Sequence, residues 1–376
     1  MRTLRIQRRG SLAAPADYVD KTEKKRTLRT MPTHASTRIT QHDIADKLGI
    51  GQKTVSRAFT NPELVSDELR TKVLQTAREL GYRPNTGARA MRTGRFESVV
   101  LVQSTERVAS PMPEALIVGI DEVLAAADVS LVLARLPDDQ LVSEVFVPKV
   151  ARELLADGFI INYDTNLPRR LLELIADHQL PAVWINSRQG ETSVRPDDLQ
   201  AGDDATQCLI NHGHTRILYV DFFIEHHSWI HYSRKDRLAG YRTAMARAGL
   251  KQLEALPDFS VDPSAFAKQA IERFKPTAVI GYGDYETSAC MMAGLRAGLD
   301  IPRDLSLVTF GATPQFFGMD IATWMVPQLD IGRTVAQQVL AAMRDRSVVQ
   351  KSVVLPFTPH LGASIAAPNN LKPPPG

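Results

Sequence analysis

Gln52-Lys53-Thr54-Val55-Ser56-Arg57-Ala58-Phe59 is the stretch on which the reading of this chain turns. Wound as a helix at about 100° per residue, it sets Gln52, Lys53, Ser56 and Arg57 on one side and Thr54, Val55, Ala58 and Phe59 on the other. One face can pack against a neighbour; the other presents only hydrogen-bonding groups.

The segment before it has a helix start written into it. Thr40 can cap the free backbone N–H groups, Asp43 sits where a capping-box acid belongs, and Ile39 and Ile44 have hydrophobic-staple spacing. Gly49 ends that helix, because glycine enters the left-handed conformation without a Cβ penalty, and Gly49-Ile50-Gly51 makes a tight turn. A third helix is expected from Asp67 to Leu80, capped by Ser66, with Val73, Ala77 and Leu80 facing Ile44, Leu48, Val55 and Phe59. An isolated amphipathic helix would read as a solvated face. Three short helices around one small core, with a protruding polar face on the second, are instead what a helix-turn-helix DNA reader needs, its second helix lying in the major groove.

After these helices come a breaker cluster, Gly81-Tyr82-Arg83-Pro84-Asn85, and then Thr86 to Gly94. The pairing of Ile44-Ala45 with Thr54-Val55-Ser56-Arg57-Ala58, the Gly81 to Asn85 cluster, and Ala88-Arg89 with Met91 resemble the lactose/galactose-repressor family of bacterial transcription regulators. The resemblance runs on through most of the remaining chain. It implies a hinge helix after the Pro84-Asn85 pair that folds on operator DNA and presses a leucine into the minor groove. Met91 stands at that leucine's place and is also an apolar wedge. Gly87 costs such a helix about 1 kcal/mol relative to alanine, which suits a segment ordered only with DNA and a partner subunit. The DNA-contacting residues expected are Thr40, Gln52, Lys53, Thr54, Ser56, Arg57, Asn61, Tyr82, Asn85, Ala88, Arg89 and Met91.

Charge distribution points the same way. The chain of 376 residues has a formal charge of +3. Residues 1–95 hold 20 Lys/Arg and 9 Asp/Glu, a net of +11, and the remainder holds 45 − 20 = 25 basic and 42 − 9 = 33 acidic residues, a net of −8. Affinity for a polyanion should therefore reside in the first quarter of the chain and fall steeply with salt. At 44% hydrophobic residues the chain can bury a large core. Cys208 and Cys290 lie in apolar helical patterns and have no metal-site spacing, which predicts reduced, buried thiols in a cytoplasmic protein. No run of about 18 apolar residues offers a membrane span, and the basic N-terminus lacks the apolar centre of a signal peptide.

The domain division expected is a basic, disordered extension over 1–37, a helix-turn-helix domain over 38–84, a hinge over 85–95, a two-lobed body over 96–366 and a disordered tail over 367–376. For the extension a DNA-embracing arm is the other reading, and Met31 offers an alternative start. From Phe96 onward, short apolar runs (98–102, 129–134, 158–163, 181–185, 216–220, 277–281 and 305–310) alternate with amphipathic stretches (114–127, 171–178, 237–248, 265–274 and 288–297). This pattern means parallel sheets covered on both faces. The fold class is thus α/β behind a three-helix headpiece and hinge helix. The body is like a two-lobed periplasmic binding protein, and Ser193 to Asp198 is read as a crossover between its halves.

Ligands of such folds sit at the carboxyl ends of strands. Those ends offer Asn162, Asn186 and Asp284, with Arg237 near the start of a helix. Two amides, a carboxylate and a guanidinium form a hydrogen-bonding set for vicinal hydroxyls, although Asp284 could also serve as a helix cap. The resemblance implies an effector held by these four residues under a loop matching Ser110-Pro111-Met112-Pro113. Expected effector contacts are Ser110, Met112, Asn162, Asn186, Arg237, Phe259, Asp284 and Phe310. Trp184, Trp229 and Trp324 join Phe259 and Phe310 as rings that could stack on a sugar face, core packing being the plainer reading of each. Four positions depart from the pattern that the resemblance implies: Gly311-Ala312 replaces two acids, Gly283 an asparagine and Gly362 an arginine.

His212-Gly213-His214 and His226-His227 with His231 invite a metal reading, but nothing nearby completes a tetrahedral set, and no metal or other cofactor is expected. Neither a nucleophile elbow, a phosphate-binding lysine loop nor a dinucleotide fingerprint is present, so the chain does not read as an enzyme. The expectation is a homodimeric or higher-order transcription repressor that binds double-stranded operator DNA and is controlled by a small ligand, a carbohydrate. Helix 114–127 and a late helix, 332–345, are expected between subunits. The alternatives are a solute-binding protein, which would need an export signal, and a sugar-processing enzyme, which would need paired carboxylates.

Overall fold

A computed structural model describes residues 39–83, 90, 94–105, 112–136, 143, 149, 156–163, 169–188, 192–223, 231–256, 262–311, 315–316, 318–348 and 350–369. The chain divides into two units between Asn85 and Thr86.

The first unit contains α1 (Gln41–Leu48), α2 (Gln52–Thr60), a 3-10 turn (Pro62–Leu64) and α3 (Asp67–Leu80). Its core is Ile44, Ala45, Val55, Ala58, Val73 and Ala77, with Leu48, Phe59 and Leu80 packed against it. Gly49 and Gly81 end α1 and α3 at φ 64° and 69°, the left-handed conformation that glycine adopts without strain. Ser66 accepts from the Leu69 N–H as expected, at 3.4 Å. Thr40 and Asp43 form the expected capping box: the Asp43 carboxylate accepts from the Thr40 N–H (2.7 Å) and also from its hydroxyl (2.8 Å).

The second unit holds two lobes, each a six-stranded sheet between helical layers. In order along the chain, lobe 1 takes β1 (Ser98–Ser104), α4 (Glu114–Ala126), β2 (Ser130–Leu136), β3 (Gly158–Asn162), α5 (Arg169–Asp177), β4 (Ala182–Ile185) and β5 (Ser193–Pro196). Lobe 2 takes α6 (Asp198–Asn211), β6 (Ile217–Val220), α7 (Tyr232–Arg247), β7 (Leu253–Ala255), α8 (Pro263–Phe274), β8 (Ala278–Gly281), α9 (Asp284–Arg296), β9 (Ser306–Gly311) and the short β10 (Gln315–Phe316), β11 (Met319–Asp320) and β12 (Ala322–Met325). The chain then returns to lobe 1 with α10 (Gln328–Arg344) and β13 (Val353–Leu355), and closes in lobe 2 with β14 (Thr358–His360).

The strand orders are β13-β5-β4-β3-β1-β2 and β14-β12-β9-β8-β6-β7. Every pairing in the two sheets is parallel except β12 with β14. Alternation sends successive residues of one strand to opposite faces: Val99 and Leu101 pack under α4 and α10, and Val100 and Val102 under α5. In lobe 2, Ile217 and Tyr219 face α6 and α7, while Leu218 and Val220 face α8 and α9. The crossover expected at 193–198 is present, and two more join the lobes, between β12 and α10 and between β13 and β14.

The late helix corrects one expectation. The apolar stripe of α10, including Ile331, Val335, Ala336 and Val339, is buried in its own lobe against α4. The two helices approach so closely that a Cβ on Gly119 would lie 2.2 Å from the Leu329 oxygen, and one on Gly332 2.3 Å from the Leu116 oxygen. Ile117 and Val118 of α4 and Val132 and Leu133 of β2 remain exposed.

A second helix crossing positions the site described below. A Cβ on Gly202 of α6 would lie 2.2 Å from the Arg237 oxygen of α7, and one on Gly240 2.2 Å from the Leu199 oxygen. Both obstacles are backbone and cannot swing aside. Gly202→Ala is therefore expected to lower stability by about 1–3 kcal/mol through overpacking, although alanine favours a helix. A urea midpoint equal to or above wild type would contradict this close approach.

Candidate functional site

On the first unit, Gln52, Lys53 and Arg57 project from α2 into solvent, while Thr54 and Ser56 are half-buried at the edges of that face. Val55 and Ala58 on the opposite side are 0% and 2% exposed, so the division expected from the sequence holds. No acid lies in the first turn of α2, and among the described residues Lys53 and Arg57 make no ion pair, leaving two cations on a rigid helix. Thr40 and Asn61 are exposed nearby; the Asn61 amide oxygen accepts from the Thr60 hydroxyl at 3.0 Å. Tyr82 is half-buried and leans on Phe59, ring centroids 5.4 Å apart. Asn85, Ala88, Arg89 and Met91 lie outside the described residues, as do Ser110, Trp229 and Phe259.

In the second unit the carboxyl ends of the strands carry the polar set. Asn162, the last residue of β3, is 4% exposed, its amide nitrogen 3.4 Å from the Met112 sulfur. Gln103, its register partner on β1, has a buried side-chain oxygen with no hydrogen-bond partner, as does the indole nitrogen of Trp184 on β4. Asn186 follows β4 in the left-handed conformation, φ 49°, which asparagine tolerates better than most residues. It reaches across to lobe 2: its backbone oxygen lies 3.0 Å from His231 Nε2, and its side-chain oxygen accepts from the Tyr232 hydroxyl at 2.9 Å. Arg188 adds an ion pair to Asp236 and sits 4.9 Å over the Tyr232 ring. His231 is the N-cap of α7, its ring accepting from the Ser233 N–H.

Arg237 lies in α7, 7% exposed. Its Nε donates to Asp198 at 2.7 Å and one terminal nitrogen donates to the Tyr282 carbonyl at 2.8 Å. The guanidinium is stacked 4.6 Å from Tyr282, 4.8 Å from Phe310 and 5.4 Å from Phe357. Burial by itself would push its pKa down, but the Asp198 carboxylate holds it above the ordinary value. Asp284 opens α9 and accepts from the Thr309 hydroxyl at 3.2 Å; burial raises its pKa. Gly311 is what leaves it room, since a Cβ there would lie 2.8 Å from the Asp284 carboxylate.

Asn162, Asn186 and Asp284 thus stand at strand ends and Arg237 in the first half of α7, where the sequence put them. Two of the candidate rings take the plainer reading, core packing, and Phe310 thereby leaves the set of expected effector contacts. Trp324 is 3% exposed and packed in the core of lobe 2, because β12 is an interior strand whose residues are covered on both faces. Phe310 is also core, its face turned to Arg237 and its edge meeting Phe357.

The sequence reading missed Asp198, the counter-ion of Arg237, and a further charged group: Asp221, Arg234 and Glu286. Arg234 pairs with Asp221, and its nitrogen is 3.8 Å from Glu286. Asp221 follows directly on Leu218-Tyr219-Val220, so the strand-end rule that selected Asn162 also selects Asp221. Glu286, inside the first turn of α9, carries no such signal. His214 has a structural role: it is buried between the Thr277 hydroxyl and the Ala366 carbonyl, both 2.9 Å away, and burial lowers its pKa. His226 and His227 lie outside the described residues. Among the described residues no three His, Cys, Asp or Glu side chains gather as a metal site, and no helix is long and apolar enough to cross a membrane.

Residues 40–85 match the family described as bacterial regulatory proteins, lacI family, and residues 206–365 the periplasmic binding protein-like domain. The HTH-type transcriptional repressor CytR of Escherichia coli is 30% identical over 332 residues, covering 83% of this chain and 92% of CytR. The chain belongs to the lacI family. It is a DNA-binding transcription regulator of the helix-turn-helix type. Catabolite control protein A of Priestia megaterium is 26% identical, over 84% of this chain and 96% of that protein. The fold matches the Lac repressor dimer bound to operator and the anti-inducer ONPF (TM-score 0.68, 21% identity, 88% of this chain and 99% of that one). It also matches a CelR–cellobiose complex (TM-score 0.57, 22% identity, 87% and 100%).

In this lacI-family chain the buried pair holds α6, α7 and the end of β8 together. Removing one partner leaves a buried charge uncompensated, so Asp198→Ala is expected to lose about 3–5 kcal/mol. The double change Asp198→Leu with Arg237→Met should recover most of that loss in urea unfolding. A single variant as stable as wild type would contradict the buried-pair assignment.

Proposed function

We propose that this regulator acts as a homodimeric, cytoplasmic repressor whose two headpieces read a pseudo-palindromic operator, and that a small polyhydroxylated ligand between the lobes sets its affinity. Residues 38–84 are the reader, 85–95 the hinge and 96–366 the ligand-binding and dimerising body. Gln52, Lys53, Ser56 and Arg57 contact base edges and phosphates from the major groove. Thr40, Thr54, Asn61 and Tyr82 contact the backbone at its edges, and Asn85, Ala88, Arg89 and Met91 engage the minor groove. Ile117, Val118, Val132 and Leu133 supply an exposed apolar surface for the second copy.

The observation that carries the ligand reading is the pairing of two polar rows at strand ends, joined directly from lobe to lobe by Asn186 with His231 and Tyr232. A ligand that competes for these groups changes the closure of the lobes. A ligand shifts such an equilibrium only by its differential affinity for the two states. The operator and anti-inducer of the Lac repressor complex, and the cellobiose of the CelR complex, are consistent precedents. Asn162, Asn186, Arg237 and Asp284 bind the ligand with Ser110, Met112 and Phe259.

Arg57→Ala is expected to reduce discrimination between operator and random duplex by about 1–3 kcal/mol, leaving most of the salt-dependent background affinity. Unchanged sequence preference in fluorescence anisotropy would refute the base-reading role. For the cleft, calorimetric titration against mono- and disaccharides should find a binder that Asp284→Ala weakens by about tenfold or more, the loss of a hydrogen bond to a charged group. Equal binding by the variant to every sugar that binds would remove the cleft assignment.

A further inference from the structure

The acids and arginines of lobe 2 are out of balance. Among the described residues, Asp198, Asp221, Asp284 and Glu286 gather at one edge of the lobe 2 sheet with only Arg234 and Arg237 to face them. Arg237 is taken by Asp198. Arg234 alone serves both Asp221 and Glu286, whose side chains are 0% and 3% exposed. It is held between aromatic faces, 3.9 Å over Tyr282 and 5.2 Å from Phe223. One Asp221 oxygen accepts from Arg234 and from the Phe223 N–H; the other is buried with no hydrogen-bond partner among the described residues. Glu286 accepts from the Phe222 N–H at 3.4 Å. A buried carboxylate oxygen without a donor is costly, and here it sits beside a second carboxylate at the carboxyl ends of β6 and β8, where the proposed cleft lies.

We propose that Asp221 and Glu286 form a subsite for a protonated nitrogen within that cleft, so that the effector is an amino-bearing polyol and not a neutral sugar. This rests on the cleft reading and narrows it. An ammonium ion there supplies the donor that Asp221 lacks and balances the charge that Arg234 cannot. It also explains how the ligand-free protein tolerates the pair: Glu286 is raised to about 7, first by burial and then by the neighbouring Asp221 charge, and burial raises Asp221 as well. Near neutrality a proton on Glu286 stands where the ligand's charge would act. Among the described residues, the other titratable or charged groups facing the pair are Arg234 and Arg237 on α7, Tyr219 on β6, Tyr282 after β8, and Asp284 and Cys290 on α9. Burial raises the Tyr219 hydroxyl and the Cys290 thiol, so both stay neutral.

The sign of the pH effect follows. A bound cation favours ionised Glu286, so binding expels its proton. Affinity should fall as pH drops below about 7, by up to tenfold per unit, and level off above it while the amine stays protonated.

The test uses the full chain and matched probes: sorbitol against 1-amino-1-deoxysorbitol, and glucose against glucosamine, titrated by calorimetry. At pH 8 the alkylamine of 1-amino-1-deoxysorbitol remains charged, and it should bind about tenfold or more tightly than sorbitol. At pH 7 its binding heat should vary with the ionisation enthalpy of the buffer, reporting proton release. Asp221→Asn and Glu286→Gln keep the side-chain shape and should each abolish the preference. A purely structural ion cluster would change the melting temperature in these variants without affecting the ratio of amine to neutral binding.

Failure of both aminated probes to bind, equal binding of sorbitol, or a preference that survives both substitutions would overturn the subsite. If the preference is lost in those two variants but binding ignores Asn162→Ala and Asp284→Ala, the subsite stands and the wider cleft reading fails. If the reverse pattern is found, the cleft stands and the subsite fails.

Discussion

The pair between Arg237 and Asp198 organises lobe 2. Asp198 is the first residue after the chain crosses from lobe 1, and Arg237 sits on the helix that lies against α6 at the Gly202 and Gly240 contact. The same guanidinium donates to the Tyr282 carbonyl, where β8 gives way to α9. One side chain thus fixes the crossover, two helices and the strand end that precedes Asp284. A buried ion pair adds little net stability compared with well-packed apolar residues. Its effect is on geometry, because only one arrangement of these elements leaves neither charge alone. The rings of Tyr282, Phe310 and Phe357 around it exclude water and strengthen that requirement.

What could be read from the sequence is what depends on local periodicity. The two faces of α2 follow from a 3.6-residue repeat, and α3 spans the expected Asp67 to Leu80 because Ser66 and Gly81 mark its ends. The parallel strands were visible as short apolar runs, and Asn162, Asn186 and Asp284 as polar residues at their ends. Pairing choices made in space were not visible. The apolar stripe of α10 reads equally well as a subunit interface or an internal contact, and the glycine contact with Gly119 that decides the matter joins positions 213 apart in sequence. β13 and β14 are three residues each, and β14 contains Pro359, which an edge strand tolerates but a sequence pattern does not reveal. Trp324 and Phe310 were candidates for ligand stacking only because a ring's role depends on which strand borders it.

The start of α1 was legible for the same local reason. Asp43, at the capping-box position three residues after Thr40, reaches back and accepts from both Thr40 donors. Those hydrogen bonds, the backbone one foremost, hold the Asp43 carboxyl below its ordinary pKa. An ionised acid in the first turn favours α1 through the helix dipole. It also places a negative charge beside a surface that otherwise relies on Lys53 and Arg57. Satisfying the donors of Thr40 directs that charge toward the α1 cap.

The glycines of lobe 2 have a common physical consequence. The space at Gly311 is filled by Asp284, which gains the Thr309 hydroxyl as a donor. Glycine at 283 lies next to Glu286, whose carboxylate oxygen is 3.6 Å from where a Cβ would be; a larger side chain there would crowd it. The acidity at this end of the sheet is carried by Asp284 and by Asp221 and Glu286, the last two anchored by backbone N–H groups and a single shared arginine. Carboxylates on a strand-end loop can turn to meet hydroxyls of varied placement. Buried ones held by the backbone present fixed acceptors, and fixed acceptors select ligands by charge and donor position more sharply than mobile ones can.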